Sequence, residues 1–102
     1  MLLGNLTKEE KITLMGTNAA AVPRLKVPAY TWWSEGAHGV AWAGVATVFP
    51  ALVGAAASFD VAAVRAMGKA IGMEGRAKHN ARVEAQGSSP QFYGLDFFAP
   101  NI

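Results

Sequence analysis

No aspartate, glutamate, lysine or arginine occurs from Gly36 to Phe59, and this gap limits the possible folds of the chain more than any other feature. An uncharged run longer than about 20 residues either crosses a membrane or is covered by neighbouring elements. This one is mostly Gly and Ala, contains Pro50 and has no basic flank at its start, which weighs against a spanning helix. Burial within a layered fold is the better reading. The remaining composition agrees, with 52% apolar and 16% charged residues in a chain of 102. A domain of this size hides only roughly two-thirds of its unfolded surface, so such an apolar excess belongs to segments covered on several sides. The formal charge of +2, carried by scattered basic residues, argues against a nucleic-acid partner. The absence of cysteine removes disulfides and thiolate metal sites. Met1 to Asn5 offers neither a basic n-region nor an apolar h-region, so it does not read as an export signal.

Local signals then divide the chain. Thr7 and Glu10 form a capping-box pair that predicts a helix start, with Ile12, Leu14 and Met15 on its buried side and Gly16 near its end. Val27 to Trp33 is rich in strand-favouring aromatics, with Pro28 at its first residues. Val45 to Phe49 is a second short strand candidate, stopped by Pro50, and Leu95 to Pro100 is a third. The strongest helix begins at the N-cap Asp60, after which Val61, Val64, Met67, Gly68, Ile71, Gly72 and Gly75 recur on one side. Glu74 and Lys78 stand four apart in the favourable order for an ion pair. Glycines inside a helix each cost roughly 1 kcal/mol against Ala, which close approach to a neighbouring element offsets.

Short strands around one strong helix predict α/β packing with parallel pairing, the first part of a (β/α)8 TIM barrel. A closed barrel takes roughly 250 residues, so the chain is expected to hold an incomplete one. Its strand edges and helix faces would then lack partners, which predicts poor solubility for the chain by itself.

The richest chemistry lies in Tyr30-Thr31-Trp32-Trp33-Ser34-Glu35-Gly36-Ala37-His38-Gly39-Val40. It sets a carboxylate directly after an aromatic strand, where barrel enzymes build their sites. A carboxylate accepts short, charge-assisted bonds from neighbouring sugar hydroxyls, and aromatic faces cover the apolar faces of a pyranose. Other polar ligands would satisfy the same groups. His38 has no second histidine at ligand spacing, so no metal site is expected there. His79 is read as favouring the helix dipole, and Glu74 and Arg76 as helix-surface or inter-element charges. Trp32 and Trp33 point to opposite faces in a strand, so at most one is expected toward a sugar and the other in the core.

The chain resembles the amino-terminal domain of glycoside hydrolase family three, in its branch of β-xylosidases and related β-glucosidases. The resemblance runs through Leu6–Ile12, Val22–Leu25, Trp32–Val40, Ala46–Pro50, Ala57–Asp60, Gly72–Lys78 and Gly94–Ile102. No one piece is specific; their order and spacing are. The resemblance implies a retaining, exo-acting β-glycosidase that needs no cofactor and takes a β-linked oligosaccharide or glycoside. It implies that Glu35 binds hydroxyls of the sugar whose bond is cleaved and that Phe98 lines the same subsite. It also places the aspartate nucleophile on a later barrel strand and the acid/base glutamate usually in a following domain, so no catalytic residue is expected in this chain. Retention needs those two carboxyl groups about 5 Å apart. Members are commonly exported. The chain departs from the pattern at Gly36, where a larger residue is common, at Phe59, where tryptophan is common, and at Phe98, where tyrosine or tryptophan is common. The last change removes a polar ring edge. The alternative is a piece that binds sugar, or only scaffolds, without hydrolysis.

Overall fold

A computed structural model describes residues 1–99. Two short helices open the chain, α1 (Leu2–Asn5) and α2 (Lys8–Thr13), followed by strand β1 (Asn18–Ala19) and a 3-10 turn (Pro23–Leu25). Strand β2 (Tyr30–Thr31) comes next, then helix α3 (Leu52–Ala57) and the long helix α4 (Val61–Gln86). The architecture is mixed helix and strand. The capping box forms as expected, with Glu10 N–H donating to Thr7 Oγ1 at 3.2 Å and Thr7 N–H to Glu10 Oε2 at 2.8 Å. Glu10 also receives the Arg24 guanidinium, whose Nη2 donates to Asn5 O at 2.7 Å and so ties the opening helices to the 3-10 turn. That ion pair holds the Glu10 carboxyl below its ordinary range, and the Thr7 backbone bond adds to the effect. Ile12 and Met15 do not supply a buried side, being 60% and 85% exposed. Helix α2 is too short to turn an apolar face inward, and it packs through Arg24 instead.

Strand pairing is shorter than the sequence predicts. Of Val27–Trp33 only Tyr30 and Thr31 join a ladder, antiparallel to Asn18 and Ala19. Pro28 lacks the N–H that would extend it toward its start. Beyond β2 the chain stays extended and gains a parallel neighbour. Bridges join Tyr30 to Ser89 and Ser34 to Phe97, with Thr31 N–H on Ser89 O at 3.0 Å and Phe98 N–H on Ser34 O at 2.9 Å. Leu95 to Ala99 therefore runs beside the segment after β2 through one isolated bridge, Phe97 to Ser34, rather than as a strand, and Pro100 lies outside the described residues. Val45 to Phe49 is not a strand. Two of its backbone groups, Val45 C=O and Thr47 N–H, are taken up by helix side chains, described below.

Asp60 caps α4 by accepting from Ala63 N–H at 2.9 Å, and Gly87, at φ 70°, closes it in the left-handed conformation. Gly75 is the one residue of α4 that is buried. A Cβ there would lie 2.6 Å from the Phe97 ring, and one at Gly36 would lie 2.8 Å from the same ring. The predicted close approach of a helical glycine is thus met at Gly75, and the absence of a larger residue at Gly36 has the same cause. The remaining apolar stripe of α4, from Val64 through Ile71, lines an open groove of about 500 Å³ shared with α3, Gly36, Ala37 and Phe97. Among the described residues the buried apolar side chains are few: Leu6, Ala19, Val22, Val40 and Ala43. The radius of gyration, 16.3 Å, exceeds the roughly 13 Å of a compact 100-residue domain, as an uncovered α4 requires. No helix among the described residues is long and apolar enough to cross a membrane.

Candidate functional site

Ser34 decides which side chains meet. It is fully buried, and side chains alternate along an extended segment, so Trp33 and Glu35 share the opposite, outward side. Trp33 Nε1–H donates to Glu35 Oε1 at 2.9 Å. The other carboxylate oxygen accepts no hydrogen bond from the described residues. Across the parallel pairing, Phe97 turns its ring into α4, so its neighbour Phe98 turns outward and is 56% exposed. The Phe98 ring centroid lies 6.0 Å from that of Trp33 at 46°. Glu35 and Phe98, singled out from sequence, therefore stand on one outward face at the C-terminal end of the parallel segment, with Trp33 between them. The expectation that one tryptophan enters the core is corrected. Trp32 is 42% exposed and packs edge-on against Tyr30 at 4.8 Å, and Trp33 is 39% exposed.

The loop that follows Glu35 is built from backbone bonds. Ala41 N–H donates to Glu35 O at 2.9 Å and Phe49 N–H to His38 O at 2.7 Å. Gly39 is at φ +128°, and a Cβ there would meet Thr47 O at 2.2 Å, so only glycine fits. Helix α4 then fastens the loop. Glu74 accepts Thr47 N–H at 3.0 Å and the Thr47 hydroxyl at 2.5 Å, while Lys78 Nζ donates to Ala43 O at 2.9 Å and Val45 O at 2.6 Å. The two Thr47 bonds, and more weakly the Lys78 charge, hold the Glu74 carboxyl below its usual range. The ion pair expected between Glu74 and Lys78 is thus replaced by two separate clamps on one loop. Charged groups from the helix thus satisfy backbone groups of a loop that carries no charge of its own.

A second set of bonds fixes the segment that carries Phe98. Tyr30 Oη accepts Leu95 N–H at 2.6 Å and donates to Asp96 Oδ2 at 3.0 Å. Burial of this phenol raises its pKa above 10.0. His79 Nδ1 lies 2.8 Å from Tyr93 O, so that nitrogen carries the proton, and Arg82 stacks over the Tyr93 ring at 4.2 Å. His79 therefore holds a loop rather than serving the helix dipole. His38 is exposed and contacts Phe49 through its carbonyl. Among the described residues no three His, Asp or Glu side chains are grouped to hold a metal ion.

The arrangement is a carboxylate bonded to one indole, with a phenyl ring on that indole's other side, open to solvent and braced from behind. It can accept hydroxyl donors in the plane of the carboxylate and cover an apolar ring face beside them. Thr47, Glu74 and Lys78 were missed as contributors, because their link runs between elements about thirty residues apart and leaves no local pattern. The one available signal was the unsatisfied backbone that a charge-free loop implies.

The chain is 41% identical to a probable β-D-xylosidase 7 of Arabidopsis thaliana and 43% identical to a probable exo-1,4-β-xylosidase of Aspergillus terreus. The chain resembles the β-xylosidases. A β-xylosidase/α-L-arabinofuranosidase of Medicago sativa is also similar, at 38% identity. Each alignment takes in 99% of this chain, which spans only 13–14% of the length of these β-xylosidase relatives. No family model and no solved structure matches.

Proposed function

We propose that the chain is the amino-terminal part of a retaining, exo-acting β-glycosidase barrel and carries one wall of its sugar subsite. The observation that supports this best is the meeting of Trp33, Glu35 and Phe98 on one face, from segments more than sixty residues apart, in a chain similar to β-xylosidases. In this reading Glu35 accepts hydroxyls of the sugar whose bond is cleaved, and the Trp33 and Phe98 rings cover its faces and exclude water. The Trp33 indole N–H fixes the carboxylate plane. The isolated parallel bridges Tyr30–Ser89 and Ser34–Phe97 support this reading, since neighbouring strands of an α/β barrel run parallel and such barrels build their sites at the strands' C-terminal ends. The remainder of the barrel and a following domain are the partners, and they supply the attacking and proton-donating carboxyls. The uncovered groove beside α4 suits such a neighbour.

Two measurements test the proposal. The chain alone, incubated with a chromogenic β-xyloside, is expected to give no turnover above buffer; turnover would place the cleaving groups within it. Joined to the rest of a β-xylosidase, Glu35→Ala is expected to lower kcat/KM by about 100-fold or more, as loss of a charge-assisted substrate bond does. Glu84→Ala, on the exposed face of α4, should leave it unchanged. Equal effects at the two positions would refute the role of Glu35.

A further inference from the structure

We propose that Gly94 is a positioning residue of the sugar subsite: its bare backbone lets residues 94–98 close on β2 and so sets where Phe98 stands relative to Glu35. The proposal rests on the reading of Glu35 and Phe98 given above. Gly94 is buried, and a Cβ there would lie 2.6 Å from Thr31 O, 3.0 Å from Tyr30 Oη and 3.2 Å from Ser34 Oγ. Three oxygens of the segment that ends in Glu35 thus converge on one position without a side chain. Backbone freedom does not explain the glycine. The left-handed glycines among the described residues are Gly39, Gly44 and Gly87, and Gly94 is not one of them. Close approach of two backbones requires it.

None of the three oxygens can give way cheaply. Thr31 is held by its own N–H on Ser89 O at 3.0 Å, and Ser34 is fully buried. Tyr30 Oη is bonded to Leu95 N–H at 2.6 Å and to Asp96 Oδ2 at 3.0 Å. The phenol therefore touches Gly94 and ties the two residues after it. Alanine at this position would drive the start of the segment off β2 and break the Leu95 bond with it. Further along, the Phe97 ring is wedged between Gly36 and Gly75, and Phe98 N–H donates to Ser34 O at 2.9 Å. A close-packed segment gripped at its middle transmits the displacement, so the Phe98 ring turns against Trp33. Glu35 stays in place, since Ala41 N–H and the Trp33 indole hold it. One wall of the subsite moves and the other does not. Phe98 covers a ring face in the ground state and the transition state alike, so its displacement weakens binding rather than bond cleavage.

The test uses the chain joined to the rest of a β-xylosidase, with methyl β-xyloside as substrate. Phe98→Ala is expected to raise KM by about tenfold, the size of one aromatic contact. Gly94→Ala should raise KM by about fivefold, a partial loss of that contact, and leave kcat within about twofold. Added to Phe98→Ala, it should change KM by less than about twofold, because the ring through which it acts is gone. A role confined to stability would lower the active fraction, and hence kcat, with KM unmoved. That result, or an equal rise of KM in both backgrounds, would overturn this proposal alone. No effect of Phe98→Ala would overturn the reading of the subsite and this proposal with it. Where Gly94→Ala does not fold, Tyr30→Phe, which removes the Leu95 tie and keeps the space, carries the test with the same outcomes. Where the joined protein turns over no substrate, calorimetric binding of methyl β-xyloside gives the same contrast, with Kd in place of KM and stoichiometry in place of kcat. Absence of binding by the unsubstituted joined protein would overturn the subsite reading.

Discussion

A single methyl group at Gly75 tests whether the site is braced by helix α4 as described. In an exposed helix interior, Gly→Ala stabilises by about 1 kcal/mol. At Gly75 the new Cβ would lie 2.6 Å from Phe97 Cζ, well inside contact distance. The ring has little room to move away, because its other edge lies 2.8 Å from where a Cβ of Gly36 would stand, with Ile71 beside it. Overpacking of this kind costs about 1–3 kcal/mol. The net expectation for Gly75→Ala is destabilisation of about 0–2 kcal/mol, the overpacking cost less the helix gain. Gly68 and Gly72 face the open groove with nothing within 4 Å, so alanine there should stabilise the chain by about 1 kcal/mol each. Urea unfolding of the chain, followed by far-ultraviolet circular dichroism, reads the three variants in one assay. The contrast between Gly75→Ala and Gly68→Ala should be about 1–3 kcal/mol, the overpacking cost alone. If the two variants shift the midpoint equally and upward, Phe97 is not wedged between the glycines. Phe98 would then have no reason to point outward. In the joined enzyme the groove is covered in our reading, and Gly68→Ala and Gly72→Ala should change sign and destabilise.

Two further outcomes follow from the bonds around the site. Tyr30→Phe removes the acceptor of Leu95 N–H and the donor to Asp96, and should cost about 1 kcal/mol in the same urea assay; no loss would detach Tyr30 from the Phe98 segment. Stability should also fall at both ends of the pH scale. The Glu10 and Glu74 carboxyls have pKa values lowered below 4.5 in the folded chain, so the unfolded chain takes up protons first as pH falls from that value, and their contribution is lost through the folded pKa. The Tyr30 pKa is raised above 10.0, so above that pH the unfolded chain loses its proton first and stability declines through the folded value. Melting temperatures across pH 3 to 11 check both limbs (roughly the range these groups span), and a Glu74→Gln variant should flatten the acid limb.

What was legible in the sequence is what is local. The Thr7–Glu10 capping box and the Asp60 cap each depend on residues within two turns and form as read, whereas the stripe from Val64 to Ile71 keeps to one side of α4 but is not buried, Gly75 being the one buried residue of that helix. The side on which Trp33 and Glu35 meet is also local, since alternation about Ser34 sets it once that residue is buried. Features that depend on distant partners were read less well. Glu74 and Lys78 are spaced for an ion pair, but each instead bonds backbone groups of the loop, and an exposed pair at that spacing would contribute little. The run from Val45 to Phe49 has strand composition, yet Val45 C=O goes to Lys78, Thr47 N–H to Glu74 and Phe49 N–H to His38 O, and no ladder forms there. Apolar content alone could not distinguish these outcomes. The loop, the clamps and Glu35 form one connected unit: Glu74 and Lys78 hold residues 43–47, Thr47 packs on Gly39, and the turn at Gly39 returns the chain so that Ala41 bonds to Glu35. The carboxylate's position is therefore set by a helix that begins twenty-six residues after it. This explains why so apolar a chain keeps two charged side chains on the inner side of its longest helix.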